Sequence, residues 1–241
     1  DQRLNEQVPL DLRFKDEAGK SVRLGDYFGK KPALLMPLYY RCSMLCPEEM
    51  NILIDSLKEL KFTIGKEFDV IVLSIDPHEI PADAANAEQE WVQRYGRGTT
   101  AGWHLLTGEE PAIRQLTQAI GFRYVYDATQ KEYAHPDGFV ILTPHGKVAR
   151  YFYRFEYPAR DLRFGLIEAS ANKIGSPLDY IWLQCYHYNP VTGQYSFAVM
   201  GVLRLFCAGL VVFGLLWIVA SLLREKRAQL KVEPGMMETK V

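Results

Sequence analysis

The chain has little cysteine, no surplus charge and no repeats, and each shortage narrows what it can be. Four cysteines in 241 residues are too few for a disulfide-stapled scaffold. A formal net charge of −1, with no basic patch interleaved with aromatics, excludes the electrostatic footprint of a nucleic-acid binder. No internal repeat or low-complexity tract interrupts an ordinary globular composition.

Charge is missing altogether from one stretch, and that absence is informative. Residues 205–223, LFCAGLVVFGLLWIVASLL, run nineteen positions without an ionisable acid or base. At ~1.5 Å of rise per residue a helix here spans about 28 Å, close to the ~30 Å hydrocarbon core of a bilayer. A buried soluble helix of that length carries a polar stripe, so a single transmembrane helix is expected. Arg224, Lys226, Arg227 and Lys231 follow the run, whereas Arg204 alone precedes it closely. The positive-inside rule then puts the tail, 224–241, in the cytoplasm and the N-terminal domain outside it, in a periplasmic or other extracytoplasmic space. Arg204 can snorkel to the outer interface. The chain opens on Asp1, and export of a large N-terminal domain implies a cleaved secretory leader. Cys42, Cys46 and Cys185 therefore belong to an oxidising compartment. Cys207 lies within the span and reads as a small packing residue.

Residues 1–176 read as one domain. Val8, Leu10, Leu12 and Phe14 alternate with period two before an Ala18-Gly19 turn, the pattern of a short hairpin. PALLMPLYY (32–40) and FDVIVLSID (68–76) are near-continuous apolar runs, as buried central strands are. Between them, Met50, Leu53, Ile54, Leu57 and Leu60 mark one helical face. Helices are also expected over 81–95, over 109–121 with Gly121 closing it, and over ARDLRFGLIEASANKIG. WHLLT (103–107) reads as a short strand and FRYVYD as an edge-like one. GFVILT and KVARYFY form a hairpin around Pro144-His145-Gly146. Strands alternating with helices, then a terminal hairpin and helix, make an α/β domain with a mixed sheet. Residues 177–204 link it to the membrane.

The chemistry concentrates in YYRCSMLCPEEM. Cys42 comes off the end of the first buried strand, where open α/β sheets collect ligands and catalytic groups. Pro47 suits the first helical position, which puts Cys46 at the N-cap, where the helix dipole lowers a thiol pKa. Glu48 and Glu49 oppose this by their own charge. Both sulfurs should face one solvent-accessible crevice. Three residues between cysteines are one more than the redox C-x-x-C spacing. The pair can close a disulfide or hold a soft ion such as Cu(I), and two inert buried thiols are the bland alternative. His78, His104, His135, His145 and His187 are the imidazoles available to such a site. His135 starts a predicted strand beside the cysteine strand, and the other loop histidines in the domain read as surface or structural residues.

Together these motifs resemble the Sco/SenC family of thioredoxin-fold, membrane-tethered copper proteins. CSMLCP matches its C-x-x-x-C-P after the first core strand. SIDP (74–77) matches its strand ending in Asp-Pro, and GWHLLTG its segment before a helix. His135 stands nine residues ahead of Pro144 in a P-x-G turn. The resemblance covers roughly residues 5–175. It implies a thioredoxin-like mixed sheet flanked by helices, with copper held by Cys42, Cys46 and His135. It also implies a role in assembling the binuclear copper site of cytochrome c oxidase subunit II, with that haem–copper oxidase subunit or a related respiratory complex as partner. The chain departs from the family in Ser43 where Pro is common, in Pro136 after the histidine, and in DPHEIP, which lacks the second Asp of D-P-x-x-D-T-P. Its anchor is C-terminal, where most members have an N-terminal one. Two other readings use the same residues: a thiol–disulfide oxidoreductase working through catalytic Cys42 and Cys46, and an accessory subunit of a respiratory complex. In the linker, Cys185 and His187 share a face of an extended segment and, among Tyr180, Trp182, Tyr186 and Tyr188, form either an accessory copper site or an interfacial packing segment.

Overall fold

The computed structural model describes residues 2–42, 45–98, 100–153 and 157–172, and beyond them 188, 189, 194, 195, 207, 209–211, 213, 214 and 217. The chain divides into two compact units, Asp1–Gly175 and Ser176–Val241.

In the first unit the most apolar segments become the interior strands. β1 (Arg13–Lys15) and β2 (Ser21–Arg23) form the opening hairpin, closed by the Asp16 side chain accepting from the Ala18 and Lys20 amides. The central strand β3 (Ala33–Leu38) is buried at every position. α1 (Cys46–Glu59) returns the chain to β4 (Asp69–Ser74), and α2 (Pro81–Tyr95) returns it to β5 (Trp103–Leu106). Each of these strands pairs parallel with its neighbour, as crossover connections require. α3 (Glu110–Ala119) leads to a separate hairpin, β6 (Val125–Asp127) and β7 (Glu132–Ala134). The chain then enters β8 (Gly138–Leu142), which lies antiparallel on the other side of β3, and β9 (Val148–Tyr153). α4 (Ala159–Ser170) packs on β8, β9 and α1. The main sheet thus has the order β5-β4-β3-β8-β9. This is the mixed sheet flanked by helices, in a thioredoxin-like arrangement, that the sequence leads one to expect.

The edge-like strand expected over FRYVYD is present at Val125–Asp127, where it pairs with the short β7 strand in a two-stranded sheet of its own, and Tyr133 of that hairpin packs on Tyr39, just past the end of β3.

The register decides where the functional ends meet. β3 and β4 run parallel, so their C-terminal ends lie side by side. β8 runs the other way with Leu35 opposite Val140, which sets the start of β8 beside the end of β3. The ladder with β8 stops at Leu35, two residues before Pro37, which has no N–H to give it.

In the second unit, β10 (Tyr188–Asn189) and β11 (Gln194–Tyr195) pair antiparallel. Residues 207, 209–211, 213, 214 and 217 are helical. Among the described residues no helix is long and apolar enough to cross a membrane. Most of the expected span 205–223, and the linker residues Cys185 and His187, lie outside the described residues.

Close backbone approach explains Gly102, at the head of β5. A Cβ there would stand 2.2 Å from the Gly65 amide nitrogen. Gly102→Ala is expected to destabilise the domain by about 1–3 kcal/mol through overpacking, read as a lowered urea midpoint. An unchanged midpoint would show that the two segments can part freely.

Candidate functional site

The loop that follows β3 is fastened before it reaches the first cysteine. Glu79, buried beyond the end of β4, accepts hydrogen bonds from the amides of Tyr40 (2.9 Å) and Arg41 (2.6 Å) and from the Ser74 hydroxyl (2.6 Å). The Tyr40 hydroxyl donates to the carbonyls of Val72 and Leu106. Arg41 reaches the His78 carbonyl and the Asp83 carboxylate. These contacts hold Cys42 at the C-terminal end of the sheet. The carboxylate of the DPHEIP segment that does this work is Glu79, beside the position where the family pattern has its second Asp.

α1 begins at Cys46, with Leu45 at its N-cap and Pro47 one residue inside. The expected N-cap position for Cys46 is therefore one residue off, because Leu45 already has helical φ and ψ and its carbonyl takes the Glu49 amide. The electrostatic expectation is reversed too. The Cys46 thiol is pushed up, first by a hydrogen bond with the Cys42 sulfur and then by burial; at this site those effects outweigh the helix dipole. Nor do the sulfurs lie open in a crevice. Cys42 is 9% and Cys46 2% exposed. Cys46 does line a cavity of about 230 Å³ with Tyr39, Arg41, Pro47 and Trp91.

His135 lies between β7 and β8, and its Nε2 sits 3.2 Å from Cys46 Sγ. Its Nδ1 is 3.1 Å from the Pro136 carbonyl oxygen. A carbonyl can only accept, so in the neutral ring Nδ1 carries the proton and Nε2 keeps its lone pair. That lone pair faces the thiol. The ring is held by aromatics, with Tyr39 edge-on at 6.1 Å and Phe122 tilted at 5.8 Å. Tyr133 packs edge-on against Tyr39 at 5.6 Å, and its hydroxyl donates to Asp76. Burial, with a hydrogen bond to Cys42, raises the Tyr39 hydroxyl.

The structure thus brings Cys46 against both Cys42 and His135. Among the described residues no three His, Cys, Asp or Glu side chains are gathered as a ready-made metal cage; Cys46 is the hinge between the other two. Two thiols and one imidazole nitrogen are a soft donor set of low coordination number, which fits Cu(I) better than the four-ligand closed sites of structural zinc.

The remaining histidines of the domain stand apart. His78 is 82% exposed and pairs with Asp76, His104 packs on Tyr27 at 4.2 Å, and His145 bonds Asn172.

Glu49 was legible only as a charge opposing the helix dipole. In the fold it is 1% exposed and its Oε1 accepts from the Gly138 amide at 2.6 Å and the Tyr157 hydroxyl at 3.0 Å. The available signal was its position, four residues before Leu53 on the apolar stripe of α1.

Comparison with known proteins bears on the family and the fold. The family model described as SCO1/SenC matches residues 1–163. The crystal structure of a putative electron transfer protein from Aquifex aeolicus is 27% identical with a TM-score of 0.63, over 73% of this chain and 98% of that one. BsSco, a Sco-family cytochrome c oxidase assembly protein in which a disulfide switch was identified, is 22% identical with a TM-score of 0.56, over 72% and 99%. Arabidopsis thaliana ScoI with copper bound is 16% identical with a TM-score of 0.54, over 70% and 99%, a likeness of fold. No curated protein matches the chain.

Burial makes Glu49 a pH-dependent cost. Its carboxyl is pushed up to about 7 from an ordinary 4.5, burial outweighing its two hydrogen bonds. Between these values the folded form holds a proton that the unfolded form has lost, so stability falls as pH rises through the window and levels off above it. Glu49→Gln keeps an acceptor oxygen without the charge. Urea unfolding from pH 4 to 8 is expected to show the variant gaining on wild type by up to about 3 kcal/mol, whereas parallel curves would contradict the shift.

Proposed function

The chain belongs to the SCO1/SenC family, and on that premise we propose that it is a copper carrier for cytochrome c oxidase assembly, with Cys42, Cys46 and His135 as donors. The observation that carries the reading is the 3.2 Å approach of His135 Nε2 to Cys46 Sγ, between residues 89 positions apart on elements that only the mixed sheet brings together. On uptake, Cys42 and Cys46 each exchange an S–H proton for a bond to Cu(I), and the two protons leave to solvent. In its neutral form His135 contributes the Nε2 lone pair with no proton to lose, its Nδ1–H resting on the Pro136 carbonyl. Such a tautomer lock is how second-shell contacts prepare a ligating imidazole. The cavity beside Cys46 gives an acceptor's donor groups access, so that copper passes by stepwise ligand exchange.

The same thiols make the cargo redox-gated. A Cys42–Cys46 disulfide forms as the pair gives two electrons and two protons to an oxidant such as a partner disulfide, and it leaves no thiolate to bind copper. A disulfide switch of the kind named for BsSco suits a pair whose sulfurs are already hydrogen-bonded. That contact also supports the second reading, a thiol–disulfide oxidoreductase. It ranks lower because a buried thiol held up in pKa has a small thiolate fraction for attack.

The anchoring part of the proposal is a single-pass helix at 205–223 with the domain outside the cytoplasm. Its support is the uncharged run, the basic residues after it, and the exposed large apolar residues Leu210, Val211, Phe213 and Trp217. Confinement to one membrane would raise the effective concentration of the domain near the subunit II copper site of a haem–copper oxidase.

Competition against a Cu(I) chelator under reducing conditions tests the donor set. Wild type should bind one copper. Cys42→Ser, Cys46→Ser and His135→Ala should each weaken it, on the order of 10–100-fold or more, and lower oxidase activity in a way that added copper eases. Wild-type affinity in any of the three removes that residue from the site.

A further inference from the structure

We propose that Glu49 is a positioning residue for His135, fixing the imidazole against Cys46 before any copper arrives. The inference rests on the donor assignment above and extends it to a residue outside the C-x-x-x-C and His motifs.

Glu49 and Cys46 are three positions apart on α1 and therefore neighbours on one helix surface. Gly138 is three residues beyond His135. The 2.6 Å bond from the Gly138 amide to Glu49 Oε1 and the 3.2 Å contact of His135 with Cys46 are thus two rungs between the same two segments, one turn of helix facing one short loop. If the lower rung is removed, the hydrogen bonds among the described residues leave the loop tied to α1 through the histidine.

Gly138 can serve as the anchor because its backbone is held independently. Its φ is +138°, and a Cβ would stand 2.3 Å from the Phe152 carbonyl oxygen, so the residue is pressed against β9 in a conformation that side chains rarely adopt. Its N–H is aimed at α1 by that conformation. The Tyr157 hydroxyl, donating to the same Oε1 at 3.0 Å, ties the start of α4 to the carboxyl and leaves it little room to turn away.

An apolar residue would fill this position on the stripe of α1 at no desolvation cost. A carboxyl there breaks the local rule, and such departures concentrate where function needs them. What this one supplies is preorganisation: the ordering of the His135 loop is done in the fold rather than at the moment of binding.

Glu49→Asp keeps the acid but shortens its reach, Glu49→Gln keeps the reach and an acceptor oxygen, and Glu49→Leu fills the space without either. In the full chain in mild detergent, Cu(I) affinity should drop about 10–100-fold in the Asp and Leu variants and stay near wild type with Gln. The effect should vanish on a His135→Ala background, where there is no imidazole left to place; a general loss of structure would weaken that background further. Without copper, the Gly138 amide should exchange faster in Glu49→Asp, and the His135 ring nitrogens should lose the shifts of a single Nδ1–H tautomer. Undiminished affinity in both variants, an equal loss on the His135→Ala background, or an unaltered Gly138 amide overturns the inference. Wild type binding copper no better than the Cys42→Ser/Cys46→Ser protein overturns the carrier reading instead, and the amide and ring measurements then decide the role of Glu49 by themselves.

Discussion

One contact organises the site: the lone pair of His135 Nε2 facing the sulfur of Cys46. It is a consequence of topology. β3 sits at the centre of the sheet with a parallel neighbour on one side and the antiparallel β8 on the other. The exit of β3, the exit of β4 and the entrance of β8 therefore share one edge. A sheet parallel throughout would carry the start of β8, and His135 with it, to the opposite end. The same placement surrounds the imidazole with aromatics, Tyr39 and Phe122 against the ring and Tyr133 against Tyr39.

Around that contact the fold spends buried carboxyls on backbone amides. Glu79 holds the approach to Cys42 and Glu49 the departure from His135. Both are raised by burial, with hydrogen bonds offsetting part of the cost. A carboxyl bonded to amides stays uncommitted to the metal ligands themselves, so each loop is braced without adding a hard oxygen donor to a soft site. The Cys46 thiol gains nothing from the helix dipole that the neighbouring sulfur and burial do not reverse. A site that encloses both sulfurs and pushes the Cys46 thiol up is built for holding cargo more than for rapid nucleophilic attack.

The order of the elements was legible because the apolar runs are unambiguous. ALLMPL and DVIVLS could only be interior strands, and the stripe through Met50, Leu53 and Leu57 could only be a packed helix. The hairpin at 125–134 was half missed, since strands of three exposed or half-exposed residues leave no periodic trace. Cys42 and Cys46 announced themselves by spacing. His135 needed the resemblance, for a lone loop histidine carries no signal of what lies across from it. Glu49 and Glu79 were hidden by their chemistry: a carboxylate in sequence reads as a solvated residue, and nothing local says that amides from a distant segment will arrive to satisfy it.

X-ray absorption at the copper edge, on protein loaded with Cu(I) under reducing conditions, reads the first coordination shell directly. The account predicts two sulfur scatterers and one imidazole nitrogen, with the nitrogen and its outer-shell ring scattering lost in His135→Ala. A shell of sulfur alone in the wild type, or an imidazole signal that survives the substitution, would contradict it.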